Sequence, residues 1–230
     1  MIRDQLVTAF DAARLALRIG RARDPRTGRL CGALTAREAI RAGQATVGPE
    51  SYGNPTMHFG PGESTRVDIG AYCSFAVGAE FLVGGGHRTD WISTHPFRVR
   101  WGLPGAYEDG HPAPAGDIVV GNDVWVGMSA SILSGVQIGD GAVIGARAVV
   151  AKDVRPYAVV VGNPAREVRR RFSDEQVEAL LRIGWWSWPA DRTREAVGAL
   201  SGPDVDAFIA AHDPAGAAQA AGDTTLGRHT

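Results

Sequence analysis

Between Val120 and Val160 the chain repeats every six residues, as VGNDVW, VGMSAS, ILSGVQ, IGDGAV, IGARAV, VAKDVR and PYAVVV. The first position carries Val120, Val126, Ile132, Ile138, Ile144 and Val150, and the fifth carries Val124, Ala130, Val136, Ala142, Ala148, Val154 and Val160. An amphipathic helix repeats near 3.6 residues and a half-buried strand near 2, so neither accounts for this period. Aliphatic and small residues at fixed offsets suit a coil of short parallel strands joined by matching corners. The bulky side chain fills each face, and the small one lets the chain turn inward without a clash. Hexapeptide repeats of this kind specify a parallel β-helix, in which each coil buries its neighbour.

The same frame is present upstream as IGAYCS, FAVGAE and FLVGGG, beginning at Ile69, Phe75 and Phe81. Val120 does not fall a whole number of hexapeptides after Phe81, so residues 84–117 leave the coil. Long loops inside compact domains are usually functional or disordered. Trp91, Phe97, Trp101 and Tyr107 make this one a poor candidate for disorder, and it reads as an ordered binding loop. The expected organisation is an N-terminal helical extension over 1–50, a coil over 51–165, C-terminal helices over 166–212 and a disordered Ala/Gly/Thr-rich tail over 213–230. Within the extension, Leu6, Phe10, Leu15, Leu17 and Ile19 suggest an amphipathic helix over 3–22. Thr35 with Glu38 reads as a capping box that opens a short helix to about Ala42. A second capping box, Ser173 with Gln176, opens a helix expected to lie across the end of the coil.

Composition narrows the partners. Twenty-four basic against 25 acidic residues give a net charge of −1, without the basic bias of a nucleic-acid binder. No apolar run approaches the roughly 20 residues that span a bilayer. Asp4 and Asp11 interrupt the first apolar stretch, so no secretory signal is expected there. With two cysteines only, Cys31 and Cys73, the reading is a disulfide-free cytoplasmic protein. Lys152 is the one lysine among 24 basic residues, a hint that an ammonium is wanted there.

Three glycines, Gly84 to Gly86, precede His87 at the start of the loop. Glycines permit close backbone approach, and an imidazole on a loop leaving a rigid scaffold suits general-base chemistry. A surface-loop histidine is an equally good reading of the local sequence. Asp90 is a candidate orienting carboxylate, although an Asp in such a turn more often caps its own backbone. His95, before a proline, reads as structural. Trp125 ends its hexapeptide on what reads as an exposed corner, which is unusual unless something covers it.

Taken together, HRTDWISTHPF, the run from Val120 to Val154, VGNPAREVRRRF and WWSWP resemble the hexapeptide xenobiotic O-acetyltransferases, the group of the chloramphenicol and streptogramin enzymes. The resemblance spans about residues 65–190 and does not reach the first 50. It implies a left-handed β-helix that forms a homotrimer, with active sites between subunits and acetyl-CoA as cosubstrate. By the same resemblance, His87 is the catalytic base that takes the proton of an acceptor hydroxyl. Trp125 then lies beside the thioester and Pro164 near the adenine. On an exposed coil face, the small residues Gly145, Ala146 and Ala148 allow the pantetheine arm to pass closely, and Lys152 with Arg166 or Arg170 can meet the phosphates by charge. Tyr52, Asn54, Trp101 and Tyr107 are candidates to line the acceptor pocket, the acceptor being an antibiotic, a sugar or a biosynthetic intermediate. An amino-sugar N-acetyltransferase would use the same base. A metal-dependent β-helix enzyme of the γ-carbonic-anhydrase type would need three converging imidazoles, and residues 118–162 contain no histidine, so no metal is expected.

Overall fold

A computed structural model describes residues 22–24, 26, 28–61 and 64–215. The helix expected over 3–22 falls almost wholly outside these residues, as does most of the tail beyond 213.

Three sheets, two of them antiparallel at one end and otherwise parallel, form the faces of a β-helix. The first is built from β2 (Leu30–Thr35), β4 (Thr56–Phe59), β7 (Glu80–Leu82), β10 (Ser131–Leu133) and β13 (Val149–Val150), with β1 (Ala22–Arg23) at its edge. The second orders β11 (Gln137–Ile138), β8 (Ile118–Val120), β5 (Val67–Ile69) and β3 (Ala45–Val47). The third orders β15 (Arg166–Arg170), β14 (Ala158–Val161), β12 (Val143–Ile144), β9 (Trp125–Val126) and β6 (Ser74–Phe75). Ser131 stands opposite Val149, Trp125 opposite Val143 and Val119 opposite Gln137, so one coil takes three hexapeptides, one per face. The first-position residues Val126, Ile132, Ile144 and Val150 and the fifth-position residues Ala130, Ala142 and Ala148 all point inward and are buried.

The coil starts earlier than residue 51. Ala45–Val47 already pairs in parallel with Val67–Ile69, and Thr46 opposes Asp68, further along the chain than three hexapeptides would bring it. Extra residues in these first corners hide the period of six. Strands β2 and β3 flank the short helix α1 (Ala36–Arg41), so the described part of the expected helical extension holds more strand than helix. The capping box is present: Thr35 Oγ1 accepts from the Glu38 N–H, and Glu38 Oε2 accepts from the Thr35 N–H at 3.0 Å.

The far end of the coil also differs from expectation. Arg166–Arg170, expected as helix, is an antiparallel strand on β14 and covers the edge that the last coil exposes. The helix capped by Ser173, α3 (Asp174–Ile183), packs instead along one corner of the coil. Its Val177, Leu180 and Ile183 join Tyr157 and Phe208, and Trp185 stacks 4.9 Å from Tyr72. Tyr72, Asp123 and Tyr157 occupy this corner with φ of 59°, 54° and 58°. Such left-handed conformations cost about 1–2 kcal/mol each for non-glycine residues and persist only where packing holds them.

Candidate active site

The excursion from the coil begins and ends at one neck. Gly86 C=O accepts the Ala113 N–H at 2.9 Å, tying the outgoing chain to the returning one. A Cβ on Gly86 would lie 2.5 Å from the Ala113 oxygen, so only glycine permits this approach. His87 follows at once and is exposed, with Nδ1 2.7 Å from the Thr94 carbonyl oxygen. A carbonyl can only accept, so Nδ1 carries the proton. In the neutral ring, Nε2 then holds a lone pair open to a substrate proton. A Thr94 carbonyl further along the loop is invisible to sequence reasoning, because any residue supplies one.

Asp90 does not orient His87. It takes a two-point ion pair from Arg88, with Nε 2.7 Å from Oδ1, and this hydrogen bonding lowers its carboxyl to a pKa of about 2. Arg88 also lies over the Trp91 ring at 5.3 Å. His95 stacks on Phe97 and Phe97 on Trp101, with centroids 4.7 and 4.8 Å apart, along the helix α2 (Phe97–Trp101). The residue the sequence reading overlooked is His111, whose buried ring lies 4.8 Å from that of His87. Burial and the neighbouring His87 hold its pKa below the ordinary histidine value.

The acceptor candidates are scattered. Tyr52 is bridged to Ser74 and lines a 280 Å³ cleft with Arg37, Ile40 and Phe75. Asn54 and Trp101 are exposed, and Tyr107 lies 5.3 Å under the Arg26 guanidinium. Among the described residues, no hydrogen bond or ring contact joins these four to one another or to His87.

Trp125 lies in strand β9 rather than on a corner, and its side chain faces outward and is 56% exposed. Gly145 is explained by the coil itself, since a Cβ there would lie 2.7 Å from Val161 Cγ1. Ala146 is exposed at the next corner, whereas Ala148 is buried in the core and cannot flank a ligand. Lys152 and Arg166 line a common 390 Å³ cleft at the end of the coil, and Pro164 is exposed beside it. Arg170 is not part of this cleft. The register of β15 shifts between Val159 and Val160, which places Arg170 on the face opposite Arg166. There it pairs with Asp174 and donates to the Pro156 carbonyl at 3.1 Å. Among the described residues there is no group of three or more His, Cys, Asp or Glu side chains placed to hold a metal.

Comparison with known proteins adds to this geometry. The family model described as "Bacterial transferase hexapeptide (six repeats)" matches residues 117–152. A chloramphenicol acetyltransferase of Agrobacterium fabrum is 48% identical over 147 residues, covering 62% of this chain and 70% of its own. The chain belongs to the hexapeptide-repeat acetyltransferases. A probable macrolide acetyltransferase of Lysinibacillus sphaericus is 40% identical over 147 residues, covering 62% of this chain and 81% of its own. A solved hexapeptide-repeat acetyltransferase of Vibrio cholerae, complexed with acetyl-CoA, is 26% identical and covers 57% of this chain and 63% of its own, at a TM-score of 0.44. As a hexapeptide-repeat acetyltransferase the protein is an acyltransferase, built on a coil of parallel strands.

Proposed function

We propose that the protein transfers the acetyl group of acetyl-CoA to a hydroxyl of a small-molecule acceptor, with His87 as general base. The observation that carries this reading is the bond from His87 Nδ1–H to the Thr94 carbonyl, which leaves Nε2 free on an exposed ring. Nε2 takes the hydroxyl proton as the oxygen attacks the thioester carbonyl carbon. The tetrahedral intermediate collapses with loss of the C–S bond, and the imidazolium returns its proton to the departing thiolate. No covalent enzyme intermediate is needed, and both cysteines are buried. The relatives named chloramphenicol acetyltransferase make chloramphenicol the first acceptor to test, ahead of macrolides, sugars and amino-sugars.

On this reading the cofactor runs along the outer face that carries Trp125, past Ala146, to the cleft of Lys152 and Arg166, where cations suit its phosphates. The left-handed winding, the homotrimer and the placement of each site between two subunits rest on the family resemblance. Exposed Val77, Trp125 and Met128 on the coil surface are what such an assembly would cover.

His87→Ala should lower turnover by at least about 100-fold with the KM for acetyl-CoA nearly unchanged. Thiol release on mixing enzyme, acetyl-CoA and an acceptor panel measures it. Near-normal turnover in the variant would remove His87 as the base.

A further inference from the structure

The neck of the loop holds a second imidazole, His111, to which the acyl-transfer reading gives no role. His111 is 7% exposed, and no hydrogen bond reaches its ring nitrogens among the described residues. Thr65 Oγ1 is the one buried side-chain polar atom without a partner among the described residues, so the ring nitrogens of His111 reach solvent. Its ring stands edge-to-face against His87, with centroids 4.8 Å apart and planes at 76°, an arrangement that aromatic pairs favour.

His111 is itself fixed on its other sides. Its backbone N–H donates to Asp109 Oδ1 at 3.2 Å, and Asp109 Oδ2 accepts from Arg98 at 3.1 Å. The Arg88 guanidinium, paired with Asp90, lies against Gly110, and the Gly86–Ala113 bond closes the neck beside the two rings. These contacts hold the backbone that carries the His111 imidazole, while the His87 ring makes a single hydrogen bond among the described residues. That bond fixes one atom of the His87 ring and leaves the tilt of the ring to its neighbours.

We propose that His111 is a positioning residue for His87, its ring removing this remaining freedom so that Nε2 stays aimed at the acceptor. The proposal rests on His87 being the base. Holding a reacting group in one geometry is a large part of enzymatic rate enhancement, and misplacement by about 1 Å can cost about 100-fold. Because burial keeps His111 uncharged near neutral pH, it does this without setting a cation beside the base.

The test compares the intact protein with His111→Ala, His111→Phe and His87→Ala, measuring kcat, the KM for acetyl-CoA and the imidazole nitrogen NMR signals of His87. His111→Ala should lower kcat about 10- to 100-fold, with KM within about twofold. His111→Phe keeps the ring contact and should recover kcat to within about threefold. The His87 signals should show the Nδ1–H tautomer in the wild type and in both His111 variants, since Thr94 sets it, with exchange-broadened lines in the Ala variant alone. A wild-type kcat in His111→Ala overturns the proposal. So does a Phe variant as slow as the Ala variant, since the nitrogens of His111 would then matter rather than its ring. If the Ala variant does not fold, His111→Gln takes its place, and a Gln variant as fast as wild type is the overturning result. An inactive His87→Ala beside a fully active His111→Ala sinks this inference alone. A turning-over His87→Ala sinks the base assignment instead, and the His87 line widths still report whether His111 orders the ring.

Discussion

At the neck of the loop, His87 takes its tautomer from the Thr94 carbonyl, whereas Asp90 is held by Arg88. Asp90→Asn should therefore leave kcat within about threefold of wild type, far from the loss expected for His87→Ala. A kinetic comparison of the two variants checks this. His111 carries a second expectation, for stability against pH. Its pKa is lowered in the folded protein, so below the ordinary value of 6.5 the unfolded chain binds the proton more readily. The contribution is fully present above that value and is lost as pH falls toward the lowered one. The groups facing it are His87, the Asp109 carboxylate and, across Gly110, Arg88. Melting curves from about pH 8 to about pH 5 should show an acid-side decline that is shallower in His111→Phe. What the sequence revealed at this scale was uneven. Three glycines mark His87, but nothing near His111 signals that the chain returns there to the same place. Arg170 and Arg166 read alike in sequence because a register shift in one strand leaves no compositional trace.

At the scale of elements, the run from Val120 to Val150 was legible because its coils are three hexapeptides long and its inward positions repeat. The last coil is two residues shorter, with Ile138 opposite Val154 and Ile144 opposite Val160, so Val154 and Val160 take first-position places and not the fifth-position ones that the repeat assigns them. The earlier coils were not, since Thr46 and its partner Asp68, like Thr56 and Glu80, stand further apart than three hexapeptides. The covering strand β15 is exposed or half-buried throughout, so its sequence, REVRR, carries no apolar alternation to mark it as a strand. Within the regular coils, each inward aliphatic packs between the coils above and below. Ile144→Ala should cost about 2–5 kcal/mol, read as a lowered denaturation midpoint. At the end of the coil, Lys152→Ala should raise the KM for acetyl-CoA with kcat at saturation little changed, whereas Arg170→Ala should leave that KM where it was. Titrating the donor at fixed acceptor measures both, and equal effects of the two would displace the phosphate site from the cleft of Lys152 and Arg166.

At the scale of the whole molecule, Val77, Trp125 and Met128 leave apolar area on the outside of a coil whose interior is already filled. If neighbouring copies complete the sites, specific activity should fall on dilution as the assembly dissociates. Sedimentation alongside activity checks this, and a fully active single chain would contradict it. The excursion bears on the molecule in another way. Glu80 and Val119 lie on opposite sides of it, yet they pair with Ser131 and Gln137, which a single hexapeptide separates. The additional residues therefore leave and rejoin the scaffold with no change of phase. A segment inserted so cleanly can change in length or sequence without disturbing the coils on either side of it.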